Sequence, residues 1–139
     1  MISNTTGTGN TAMGDYQPLY ANTTGSNNIA VGHTALQNNT TGASNTAIGR
    51  SALASNTTAS NNTAVGYQAG YTNQTGPEFT AVGTQALYNA TGGYNTAVGF
   101  KAGYGQTTGD GNTYVGRYVA GTATTTGQNN AAVGNRALQ

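Results

Sequence analysis

Apolar residues along this chain follow neither the helical spacing of 3.6 nor a long strand alternation. They return instead in a short block, Asn-Thr-Ala-Val-Gly, at Asn10–Gly14, Asn28–Gly32, Asn45–Gly49, Asn62–Gly66, Phe79–Gly83, Asn95–Gly99, Asn112–Gly116 and Asn130–Gly134. The closing glycines are 18, 17, 17, 17, 16, 17 and 18 residues apart. Seven residues before each stands a turn residue: Gly7, Gly25, Gly42, Ala59, Gly76, Gly92, Gly109 and Gly127. Three residues after them, from the second copy on, stand Ala35, Ala52, Ala69, Ala86, Ala102, Val119 and Ala137. The unit reads Thr-Thr-Gly-x-x-Asn-Thr-Ala-Val-Gly-x-x-Ala-Leu-x-x-Asn, and eight copies fill residues 1–139 as a single domain.

A period of 17 is too short for a helix pair, and Gly, Asn and Thr recurring on that scale oppose helix. Two short extended segments per period, separated by turn residues, predict one coil of an all-β parallel solenoid. Equivalent residues then stack about 4.8 Å apart, the spacing of hydrogen-bonded strands, and eight coils make a rod of roughly 38 Å. Asn opens the block in seven of eight copies, so its amides are expected to bond along the axis. The column Met13, Val31, Ile48, Val65, Val82, Val98, Val115 and Val133 is expected to face inward. The residues after the closing glycines (Asp15, His33, Arg50, Tyr67, Thr84, Phe100, Arg117, Asn135) are too varied for an interior and are expected to face solvent.

Composition decides between this fold and disorder. Leu, Ile, Val and Phe number 17 in 139 residues, while Thr, Gly, Ala and Asn supply 87, too little hydrophobe for an ordinary globular core. Disorder normally goes with high net charge. Here 4 basic and 3 acidic residues leave +1, and a disordered tract does not hold a branched or long apolar residue at one position through eight copies. So few cations argue against a nucleic-acid partner. No apolar run is long enough for a membrane span. Cysteine is absent, so thiolate metal ligation is excluded. Met1–Asn4 shows no basic or apolar leader pattern, so no secretion signal is expected in this chain.

Units of the form Asn-Thr-Ala-Val/Ile-Gly-x-x-Ala-Leu resemble the head repeats of trimeric autotransporter adhesins (YadA-like). They are also similar to the Asn-Thr-Thr-Gly repeats of phage tail-fibre proteins, over about residues 4–138. The resemblance implies a left-handed parallel β-roll, a homotrimer, and a rigid shaft or receptor-binding head, extracellular or on a virion, facing a host surface glycan or receptor. Residues 1–139 show no pattern of a coiled-coil stalk or of a self-cleaving chaperone segment. The termini, Met1–Gly7 and Arg136–Gln139, show no charged or Pro-rich cap, which suggests a slice of a longer fibre or a subunit that stacks head to tail into a filament.

Catalytic chemistry finds no support. His33 is single. Asp15, Glu78 and Asp110 fall in different copies and columns, which argues against paired-carboxylate chemistry, and no phosphate-loop or nucleophile-elbow pattern occurs. The expectation is a non-enzymatic protein without cofactor or metal. The aromatic residues say more. Tyr71, Tyr88 and Tyr104 share one column in three successive copies, joined by Tyr20 if the extra residue of its copy lies near Pro18. They are a candidate stripe for subunit packing or carbohydrate binding. An ice-binding face is a further reading, weakened because the Thr pairs are adjacent, as in Thr40-Thr41 and Thr107-Thr108, and adjacent residues diverge. Asn-x-Thr sequons at Asn4, Asn22, Asn38, Asn39, Asn56, Asn61, Asn73 and Asn89 follow from turns that favour Asn and Thr, and their glycosylation depends on the host.

Overall fold

A computed structural model describes residues 3–121 and 126–138. Met1, Ile2 and Gln139, which the reading of the termini invokes, lie outside the described residues. The chain is a parallel β-solenoid. Each repeat contributes one three-residue strand: β1 (Thr11–Met13), β2 (Ile29–Val31), β3 (Thr46–Ile48), β4 (Thr63–Val65), β5 (Thr80–Val82), β6 (Thr96–Val98), β7 (Thr113–Val115) and β8 (Ala131–Val133). These form one parallel sheet in sequence order with strict register, Thr63 beside Thr80, Ala64 beside Ala81 and Val65 beside Val82. The second extended segment expected in each repeat is absent among the described residues. Its place is taken by turns whose backbone groups still bond up the axis, as in Leu36 N to Ala52 O at 3.0 Å and Thr23 N to Thr40 O at 2.9 Å.

The turns are tight because each coil carries left-handed residues in three columns. Thr34, Leu36 and Asn27 have φ of 56°, 50° and 58°, and their counterparts in other coils match them. Left-handed backbone costs a non-glycine residue roughly 1–2 kcal/mol, so the axial bonds must hold each turn against that preference. The closing glycines are a stricter case. Gly66 has φ 132°, and a Cβ on it would lie 2.5 Å from Gly83 O of the next coil.

The interior corrects the expected burial. The inward residue of each strand is the central one: Ala30, Ala47, Ala64, Ala81 and Ala97 are fully buried, whereas Met13 is 62 % exposed, Ile48 41 % and Val133 73 %. Val31, Val65 and Val82 are half-buried on the outer face. Side chains alternate along a strand, so an inward Ala forces both flanking residues outward. The bore across a coil of this size takes a methyl from the strand and a Leu from the opposite turn. Leu19, Leu36, Leu53 and Leu87 are accordingly fully buried.

Two asparagine ladders replace the missing hydrophobe. In the first, Asn45 N donates to Asn28 Oδ1 and Asn62 N to Asn45 Oδ1, each at 3.0 Å. The second runs through Asn4, Asn22, Asn39, Asn56 and Asn73. There Asn39 Nδ2 donates to Asn22 Oδ1 at 2.8 Å and to Gly42 O at 2.9 Å. Buried amides bonded on both sides avoid the desolvation cost of orphaned polar groups.

Where a bulky residue enters the interior, the coil before it gives way. Phe79 interrupts the first asparagine ladder and is 1 % exposed. Gly70 stands in the Leu column, and a Cβ there would be 2.6 Å from Phe79 Cζ. Tyr114 replaces an inward Ala, and Gly103 in the Leu column makes room, a Cβ there lying 2.9 Å from Tyr114 Cδ2. The Tyr114 hydroxyl donates to Gln106 Oε1 at 2.7 Å, and Gln106 holds the place of an Asn in the second ladder.

This exchange predicts strong coupling. Gly70→Leu should destabilise by about 3 kcal/mol through overpacking, and Phe79→Asn by about 3 kcal/mol through the void it leaves. The double variant, which restores the common coil, should lie near the parent. A double-mutant cycle from denaturant melts should give a coupling above about 2 kcal/mol, and simple additivity would show that the two sites do not share space. The left-handed columns give a second prediction. Ser44→Gly, Glu78→Gly and Tyr94→Gly, all at exposed positions with φ of 55° to 58°, should each raise stability by about 0.5 kcal/mol, strain relief exceeding the entropy cost of glycine. Thr63→Gly, in β4, should lower it by about 1 kcal/mol.

Candidate functional site

Three features run along the outside of the rod. The first is the outer sheet face. It carries Thr11, Thr46, Thr63, Thr80, Thr96 and Thr113 in one column and Met13, Val31, Ile48, Val65, Val82, Val98, Val115 and Val133 in the other. Thr and Val share this face because they flank the inward residue. A regular Thr column therefore exists apart from adjacent pairs such as Thr40-Thr41, and it stands beside Val and not beside a second Thr.

The second feature is the tyrosine column. Tyr71 stacks on Tyr88 with ring centroids 5.2 Å apart and planes 5° from parallel, and Tyr88 on Tyr104 at 5.2 Å and 16°. Tyr20 belongs to the same column, since Leu19 N bonds Ala35 O and Ala21 N bonds Gln37 O, but Gln37 and Ala54 separate it from the other three. Rings stacked face to face show solvent their edges and hydroxyls. The stripe therefore lacks the open ring faces that a sugar would stack on, except at its ends.

The third feature went unread in the sequence. All four fixed cations, Arg50, Lys101, Arg117 and Arg136, lie in the two columns directly after the closing glycines, interleaved with Tyr67, Phe100 and Tyr118. The Lys101 Nζ lies 4.9 Å from the Tyr104 centroid and 5.7 Å from those of Phe100 and Tyr118. The Arg117 guanidinium lies 4.7 Å from the Tyr118 centroid and 5.8 Å from that of Phe100. Phe100 meets Tyr118 edge-on at 5.2 Å. Tabulating these columns by charge would have shown the edge. The acids lie elsewhere: Glu78 and Asp110 sit on the asparagine turn, where Asp110 Oδ1 accepts from Gly93 N at 2.8 Å, and Asp15 sits in the first coil.

Asp15 also corrects the register of that coil. Thr34 N bonds Tyr16 O just as Ser51 N bonds His33 O, so Tyr16, not Asp15, stands below His33, and Asp15 is the extra residue. Tyr16 stacks on His33 at 4.9 Å and 18°. The buried His33 Nδ1 has no partner, and among the described residues no three His, Cys, Asp or Glu side chains come close enough to hold a metal. No helix is long and apolar enough to cross a membrane among the described residues. The fully buried Asn22, Asn39, Asn56 and Asn73 are closed to glycosylation in the folded coil, whereas Asn38 and Asn61 are exposed.

Burial raises the Tyr88 phenol above its ordinary value, with repulsion from Tyr71, Tyr104 and then Tyr67 adding to it. The folded chain thus holds this proton more tightly than the unfolded chain. The contribution is fully present below pH of about 10, the unfolded value, and is lost as pH climbs through the folded value. Denaturant melts across that alkaline range should show Tyr88→Phe losing less stability than the parent, and parallel losses would exclude the tyrosine stack as the titrating element.

No family model, curated protein or solved structure matches this chain.

Proposed function

We propose that this chain is a non-catalytic fibre module, the shaft or head of a tail fibre or cell-surface adhesin, working outside the cell or on a virion as a homotrimer. The observation that supports it most directly is the outward apolar column from Met13 to Val133. It gives every coil one outward-facing branched or long apolar side chain at the same place, exposed at Met13, Ile48, Val98, Val115 and Val133 and half-buried at Val31, Val65 and Val82. A contiguous apolar strip running the length of a rod is what a lateral partner covers. The sheet's backbone groups are already bonded along the axis, so a lateral partner must pack side chains and cannot add a strand. A rod that repeats every coil offers the same contact at every height, and a second or third copy fits it without loss of register. The three-fold symmetry and left-handed coil come from the resemblance to adhesin heads and tail-fibre repeats. The Thr column beside the strip supplies hydroxyls for its rim.

Sedimentation equilibrium tests the assembly. The parent should have three times its 13.9 kDa chain mass. Val82→Asp, which brings three carboxylates together about the axis, should shift it to single-chain mass with β circular dichroism retained. Thr84→Asp, two columns outside the sheet, should leave the mass unchanged. A parent that stays at single-chain mass at every concentration, or a Val82→Asp variant that stays trimeric, would reject this assembly.

A further inference from the structure

The tyrosine stack ends at Tyr104 because the next residue in its column is Gly121. A cleft of about 330 Å³ opens there, lined by Asn89, Lys101, Tyr104, Thr107 and Tyr118 together with Gly105 and Gly121. We propose that this cleft binds an acidic sugar residue, a pyranose bearing a carboxylate, within or at the end of a glycan chain. The inference does not rest on the trimeric fibre reading, since it uses a different edge of the rod.

Four observations carry it. The cleft lies at the lower end of the size range for small-ligand sites, which suits one sugar ring. Its walls pair aromatic rings with polar groups: Tyr104 and Tyr118 line it beside the Lys101 ammonium, and Asn89 and Thr107 complete the rim. The Asn89 amide donates to Tyr104 O at 2.9 Å, which fixes the side chain at the rim. Lys101 is held over three aromatic rings and, among the described residues, not against a carboxylate. Ring quadrupoles hold an ammonium in place without neutralising it, so its charge stays available to an incoming anion. Finally, Arg117 one coil on and Arg136 beyond it extend the positive field along the same edge, while Glu78 and Asp110 stand on another turn of the coil. Such a one-signed strip favours approach of a chain whose carboxylates repeat. Polyanions read through phosphate contacts need many more cations than the one or two that reach this cleft.

The full chain is titrated by calorimetry with trigalacturonate, with N-acetylneuraminyl-lactose, with the methyl ester of trigalacturonate, and with a short single-stranded oligonucleotide. At least one of the two acids should bind saturably, and the ester should bind at least tenfold more weakly than its acid. Lys101→Met, which keeps the stem over the rings, should cut acid binding at least tenfold with an unchanged melting midpoint. Arg50→Gln, three coils away, should leave it unaltered. The proposal is overturned if neither acid binds or if acid and ester bind alike. It is equally overturned if the oligonucleotide binds as well as the acids, or if Arg50→Gln weakens binding as much as Lys101→Met. The comparison of acid with ester uses the unaltered protein, so the test stands even where a variant folds poorly.

Discussion

Everything in this rod depends on axial register. A coil of about 17 residues encloses a row of Ala methyls and Leu side chains, too little apolar area to stabilise a turn that places several non-glycine residues in left-handed backbone. The missing stabilisation comes from the next coil. Backbone groups on the sheet and on the turns bond upward, and two columns of buried asparagine bond with them. Because the same bonds recur between equivalent positions one coil apart, the geometry that satisfies one coil satisfies the next. Stability in such a fold is a sum over neighbouring interfaces, which is why a sequence so poor in hydrophobe can fold.

The same logic explains where the repeat departs from its own pattern. Interior volume is shared between adjacent coils, so a departure in one must be answered in its neighbour. Phe79 and Tyr114 are each matched by a glycine in the Leu column of the preceding coil. At Phe79 the polar accounting is incomplete: Asn62, the rung below, keeps its Oδ1 on Phe79 N at 3.0 Å, but its Nδ2 has no partner. At Tyr114 it closes, because the hydroxyl reaches the glutamine that replaces an asparagine. The coils around residues 70–114 are thus the least uniform part of the rod. They also carry the tyrosine stack and the Phe100–Tyr118 cluster. The glycines that interrupt columns serve both ends: Gly70 and Gly103 admit aromatic rings inside, and Gly121 ends the stack outside.

A solenoid separates roles by column. The inner columns carry folding, the outer sheet face offers a repeated apolar strip, and the columns after the closing glycines gather the cations. A residue's place within the period therefore says more about its work than its neighbours in sequence do. Lys101 and Phe100 are adjacent in the chain, yet what sets their surroundings is Arg117 and Tyr118, one coil on.

The sequence by itself determined the period, the eight blocks that become strands, their stacking in register and the first asparagine ladder. These follow from identity of spacing, which needs no knowledge of where side chains point. It also placed Tyr71, Tyr88 and Tyr104 in one column, because nothing is inserted between them. Orientation was a different matter. In Thr-Ala-Val the inward residue is either the Ala or its two flanks, and a shift of one residue exchanges the faces. Both choices put apolar groups inside, so hydrophobicity favoured the larger Val. Only the closed coil, whose bore has room for a methyl opposite Leu, turned Ala inward and Val outward. Likewise, one extra residue in the first coil was assigned to its place by the bond from Thr34 N to Tyr16 O. The cationic edge was open to a tabulation of columns by charge, but the cleft beside Tyr104 came from three dimensions: it joins residues 89 to 121, brought together only when successive coils stack.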